Sequence, residues 1–137
     1  MKKRNKILLT ILIIIIAVVC IGSIVYYNIE AKLNNLADLP ISDVDLTKLD
    51  DGVYSGSYST FPITAEVKVI IKDHQITKID LVKHTNGQGQ AAEVLPGRVV
   101  EAQSLDVDAI TGATYSSKVI LKAIENALNS DVVTANR

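Results

Sequence analysis

The chain has 137 residues, with 14 lysines and arginines against 15 aspartates and glutamates, a formal net charge of −1, one cysteine and two histidines. A single cysteine permits no disulfide within the chain and, with His74 and His84 standing apart from any carboxylate pair, no zinc, haem or iron–sulfur site is expected. All four basic residues ahead of the first apolar run lie within residues 1–6, so the rest of the chain carries an excess of acid and lacks the basic patch that nucleic acid requires.

Residues 1–6 form a basic tail, with Lys2, Lys3, Arg4 and Lys6. Residues 7–27 are uncharged and dense in Ile, Leu and Val, a run of about 20 residues that matches the thickness of a bilayer's hydrocarbon core. A cleaved signal peptide has an apolar core of roughly 7–15 residues and a small-residue cleavage site. This run is longer, and Ser23-Ile24-Val25-Tyr26-Tyr27 is a poor site, whereas Tyr26 and Tyr27 suit a membrane interface. Ala17-Val18-Val19-Cys20 lacks the small residue that precedes a lipoprotein cysteine. The expectation is an uncleaved transmembrane signal anchor. The positive-inside rule then leaves the N-terminus in the cytoplasm and the C-terminal domain outside, at the plasma membrane.

Residues 28–50 are polar and acidic, with weak helical periodicity over 31–39, and read as a stalk or linker. Asp50-Asp51-Gly52 signals a turn into the folded unit, expected over 51–129. Residues 53–59 suggest a first strand. Over 63–71, Ala65, Val67, Val69 and Ile71 alternate with Glu66 and Lys68, and residues 76–82 follow after a short polar turn, so an antiparallel hairpin is expected. His74 in that turn reads as a solvated residue. Residues 85–90 form a loop whose Gly87 and Gly89 are too few for a dinucleotide fingerprint. Residues 91–103 look helical, interrupted at Pro96-Gly97, and 104–110 extended.

The most distinctive stretch is 108–117, Asp-Ala-Ile-Thr-Gly-Ala-Thr-Tyr-Ser-Ser. Behind it Ile120, Ala123, Ile124, Ala127 and Leu128 recur at helical spacing, and the helix should end near Asn129, before a tail at 130–137. Hydroxyls at a helix start commonly cap it, which Thr114, Ser116 or Ser117 would do here. Small residues and free N–H groups there also make a place for a phosphate. The fold class is α+β: a small antiparallel sheet packed by a C-terminal helix and a broken helix, preceded by one transmembrane helix.

In that order the segments resemble the FMN-binding domain family, found in exported subunits of Rnf-type and sodium-pumping NADH:quinone reductase complexes. Asp51-Gly52-Val53-Tyr54-Ser55-Gly56 looks like its opening strand, residues 67–79 are similar to its central hairpin, and residues 103–117 look like its signature. The resemblance implies an exported FMN-binding protein, an electron-transfer carrier serving a redox partner protein. In many members a flavin transferase links the phosphate of FMN to a threonine of the signature. The matched position is Ser116, with Ser117 as the neighbouring alternative, and Asp108, Thr111, Gly112, Ala113, Thr114 and Tyr115 shape the cofactor turn. Tyr115 and Leu95 are candidate walls for the isoalloxazine ring. A non-redox binding or sensing module on the same fold, and a flavin-dependent reductase of a small acceptor, are the alternatives.

Overall fold

The computed structural model describes residues 2–85 and 87–131. The chain divides into two compact units, Met1–Asn34 and Asn35–Arg137.

The first unit is helical. Helix α1 covers Lys3–Ala37 and is long and apolar enough to cross a membrane. Its few polar groups close on the helix's own backbone: Thr10 Oγ1 donates to Lys6 O at 2.9 Å and Ser23 Oγ to Val19 O at 2.8 Å. Such internal satisfaction is what a surrounding without water demands.

The second unit is α+β. Strands β1 (Gly52–Thr60), β2 (Ile63–Lys72) and β3 (Gln75–Thr85) form an antiparallel meander in the order β1-β2-β3. The period-2 pattern of β2 is realised in full: Ile63, Ala65, Val67, Val69 and Ile71 are all buried on one face. Lys72 pairs with Gln75, so Asp73-His74 is a two-residue turn, and both residues have positive φ (51° and 60°). That is the twist which suits a right-handed hairpin. The ring of His74 binds Leu49 O at 2.9 Å.

Beyond β3 the expected broken helix is two pieces, a 3₁₀ turn at Gln90–Val94 and helix α2 at Leu95–Ala102. Pro96 does not interrupt a helix but opens one, since a proline in the first turn lacks only an N–H that would have no helical partner. Helix α3, Thr114–Leu128, lies across β1 and β2 with Val119, Ile120, Ala123, Ile124, Ala127 and Leu128 buried. Burying a side chain of Val or Ile size contributes about 1.5–3 kcal/mol. This one helix therefore closes most of the core.

The stalk reading needs correction in its second half. From residue 35 the chain belongs to the compact unit, and Leu36 is buried. Ser42 N–H donates to Glu125 Oε2 at 3.2 Å, Asp43 accepts from Ser104 Oγ and Leu105 N–H at 2.7 and 3.0 Å, and Lys118 Nζ donates to Leu39 O at 3.2 Å. A 3₁₀ turn at Leu46–Lys48, capped by Asp45, leads to β1. The expected tail at 130–137 lies, from 132 onward, outside the described residues.

Candidate functional site

The approach to α3 is a loop braced from within. Ala113 N–H donates to Ile110 O at 2.9 Å, and the Ser117 hydroxyl accepts from Ile110 N–H at 3.0 Å while donating to Ala113 O at 2.7 Å. One buried hydroxyl thus ties the loop to the first helical turn on both sides. Gly112 has φ +81°, a conformation that side chains with a Cβ rarely adopt, and the space beside it is open.

Helix α3 begins at Thr114, and its N-cap, Ala113, contributes no side-chain hydrogen bond. The capping role expected of Thr114, Ser116 or Ser117 is therefore not filled by any of them. The earliest helical bond runs from Ser117 N–H to Ala113 O at 2.9 Å, and the N–H groups of Thr114, Tyr115 and Ser116 have no partner among the described residues. They carry the positive end of the helix dipole.

The hydroxyls of the signature divide sharply by exposure. Thr111, Gly112 and Thr114 are exposed, as is Asp108, which makes no hydrogen bond among the described residues. Tyr115 is half-buried. Ser116 is 2% exposed and Ser117 0%. Helical geometry explains the split: positions 116, 117, 120, 123 and 124 share the face turned to the sheet, and 114 lies off it. The Ser116 hydroxyl is engaged inside the protein, 3.1 Å from His84 Nε2, whose Nδ1 lies 3.0 Å from Glu93 Oε1. Leu95, expected as a ring wall, is fully buried in the core and cannot line an open site.

The expectation that His84 stands apart from carboxylates needs correction, since its ring meets the single carboxylate of Glu93, a residue to which the sequence reading gave no role. His84 stands one residue before the end of β3, and its side chain is only 2% exposed, against 41% for that of Glu93. The Thr85–Gln90 segment between them shows no pattern that would announce the pairing.

These features fit a flavin phosphate. The uncapped turn offers N–H groups to an anion, Gly112 leaves room for its approach, and Thr114 holds a hydroxyl in the open beside them. Among the described residues there is no group of histidine, cysteine and carboxylate side chains arranged to hold a metal.

A three-stranded meander closed by a helix with a glycine–hydroxyl turn at its start defines a small cofactor-binding domain. The family model of the FMN-binding domain matches residues 58–129, and the chain belongs to that family. It is also similar to a protein of Treponema pallidum (strain Nichols) that bears the description "Uncharacterized protein", 31% identical over 84 residues. That match takes in 59% of this chain and 23% of the Treponema protein, so the chain spans about a quarter of its relative's length.

Proposed function

We propose that this chain is a membrane-anchored extracytoplasmic electron carrier whose FMN is attached through its phosphate to the Thr114 hydroxyl. The observation that carries the reading is the exposure of Thr114 at the uncapped start of α3, beside the open space at Gly112. Ser116, the acceptor expected from the signature, and Ser117 have their hydroxyls buried and hydrogen-bonded inside the fold. A transferase has to bring an activated phosphate onto the attacking oxygen, and the exposed Thr114 hydroxyl permits that without any opening of the first turn.

With FAD as donor, the Thr114 oxygen bonds to the phosphorus on the flavin side. The pyrophosphate bond to that phosphorus breaks, AMP leaves, and the hydroxyl proton passes to a base of the transferase. The N–H groups of the first turn hold the remaining phosphate charge. FMN when bound supplies reversible electron transfer, while the protein fixes its place and surroundings. A covalent link also answers the absence, among the described residues, of a lysine and arginine cluster around the turn, since a carrier outside the cytoplasm would lose a loosely held cofactor by dilution.

The test is intact-protein mass of the full chain co-expressed with a flavin transferase. The wild type should gain one FMN less one water, Thr114→Ala should gain nothing, and peptide mapping should place the gain on Thr114. A gain that persists in Thr114→Ala and vanishes in Ser116→Ala returns the acceptor to Ser116. A wild type that stays unmodified and colourless overturns the flavin reading in favour of a non-redox binding module.

A further inference from the structure

Helix α3 closes one face of the sheet, and the other face carries a different chemistry. The alternation that buries Ile63 to Ile71 turns Glu66, Lys68 and Lys72 outward, and all three are exposed. The register carries that face onto β3: Lys68 stands opposite Asp80, Ile70 opposite Lys78 and Glu66 opposite Lys83. Directly opposed residues of an antiparallel pair share a face. Lys68, Lys72, Lys78 and Lys83 therefore meet only two carboxylates, Glu66 and Asp80, on one open surface. Of these lysines only Lys78 has an ion-pair partner among the described residues, Asp80 at 2.7 Å. Asp73 follows Lys72 in the hairpin turn and its N–H donates to Asp51 at 2.7 Å, so that end is acidic and the lysine excess lies at Lys68, Lys78 and Lys83.

The remainder of residues 35–131 has the opposite balance. Its only basic residues are Lys48, Arg98, Lys118 and Lys122, against a large excess of aspartate and glutamate. Lys48 pairs with Asp45, Lys122 with Glu125, and Lys118 donates to Leu39 O. Positive charge is thus segregated onto the open sheet. Two apolar groups accompany it. Val82, 55% exposed, lines the same surface with Ser57, Glu66 and Lys68. Phe61, the sole phenylalanine of the chain, stands 69% exposed between β1 and β2.

We propose that the open face of the sheet docks on an anionic lipid surface, with its lysines on the headgroups and Phe61 at their level. Lysines are drawn to anionic headgroups, and an exposed aromatic ring suits the boundary between headgroup and hydrocarbon. A surplus of two positive charges is small for capturing a partner from solution. It is enough for a domain that a membrane-crossing helix keeps beside lipid, because tethering raises the effective concentration of the surface. At physiological salt a charge is screened over about 8 Å, so a carboxylate on the helix side of the sheet counts for less than a lysine on its open side. The inference goes beyond the carrier reading and does not depend on where FMN attaches.

The test uses the full chain in bilayer discs that are open to solvent on both sides, made of phosphatidylcholine alone or with roughly a third phosphatidylglycerol. A soluble amine-acylating reagent should modify Lys68, Lys78 and Lys83 about tenfold more slowly in the anionic discs. Lys48, whose side chain is 81% exposed, should react equally in both. The chain has no tryptophan, so Phe61→Trp introduces a single reporter at an exposed position. Its emission should shift to the blue in anionic discs and be quenched by brominated lipid. Both responses should vanish in about 0.5 M salt, where the screening length falls to about 4 Å. They should vanish as well in Lys68→Glu combined with Lys83→Glu, which turns the surplus of two positive charges into two negative ones. The salt arm needs no altered sheet, so a folding defect in the double variant leaves the test intact.

Equal acylation of the sheet lysines in the two discs overturns the proposal, as does a reporter that stays in water in both. Protection that follows protein concentration rather than lipid charge would make the occupant a second copy of the chain and overturn it too. No flavin is needed for these measurements, so their outcome and that of the FMN reading are decided separately.

Discussion

At Gly56 a single hydrogen stands where any other residue would drive a carbon into the backbone of α3. A Cβ built there meets Ala127 N and Ala123 O far inside contact distance, and neither can move without shifting the helix. Gly56→Ala should therefore destabilise the domain by about 3 kcal/mol, at the upper end of overpacking costs, as read by chemical denaturation of the detergent-solubilised chain. Ser117 carries the opposite kind of constraint. Ser117→Ala strips the partner from Ile110 N–H and should cost about 1–3 kcal/mol, the penalty for an unsatisfied polar group in a part-buried site. Gly112→Val is strained for its φ of +81° rather than for space, since nothing lies beside it, so its expected outcome is a domain that folds but takes up little flavin. The residues of the signature were legible in the sequence as a set. Which hydroxyl faces out was not, because it depends on where the helix begins, and an error of two residues there exchanges an exposed position for a buried one.

Among the elements, the strands were the most legible, because one face of β2 is apolar at every second residue and period 2 has few other meanings. The segment over 38–50 was the least legible, since its partners lie far along the chain: Ser42 meets Glu125 across 83 positions and Leu105 meets Asp43 across 62. No local pattern encodes such bonds. Asp43 makes the segment's attachment depend on pH. Partial burial raises its pKa, but hydrogen bonds from Leu105 N–H, Ser104 Oγ and Val44 N–H together outweigh that and hold it below the ordinary aspartate value. A carboxyl with a lowered folded pKa stabilises the fold above its unfolded value and loses that contribution as pH falls through the folded one. Asp43→Asn should cost about 0.5–1 kcal/mol near neutrality, a modest figure because the group is largely exposed. Thermal unfolding should show the gap between wild type and variant narrowing once the pH drops below about 4.

For the whole molecule the question is on which side of a membrane the FMN-binding domain stands. Helix α1 carries three basic residues before the apolar run, Lys3, Arg4 and Lys6, and after it only Glu30 and Lys32, which cancel. By the positive-inside rule that asymmetry supports the proposed orientation, with residues 28–137 outward. The same feature is compatible with removal of the segment as a signal sequence, and the two outcomes separate in one experiment. Cys20 is the sole cysteine, so a Cys20→Ser background is free of thiols. Glu101→Cys then adds one at an exposed position of α2, and Lys3→Cys adds one before the apolar run. A maleimide that cannot cross membranes should label Glu101→Cys in cells with an opened envelope and an intact plasma membrane, and should label Lys3→Cys only after detergent. Both proteins should sediment with membranes, and the labelled Lys3→Cys chain should have full-length mass. Loss of the Lys3→Cys thiol from the mature protein would mean cleavage and a soluble exported domain. Labelling of Glu101→Cys only after detergent would place the flavin domain in the cytoplasm, where dilution gives no reason for a covalent link.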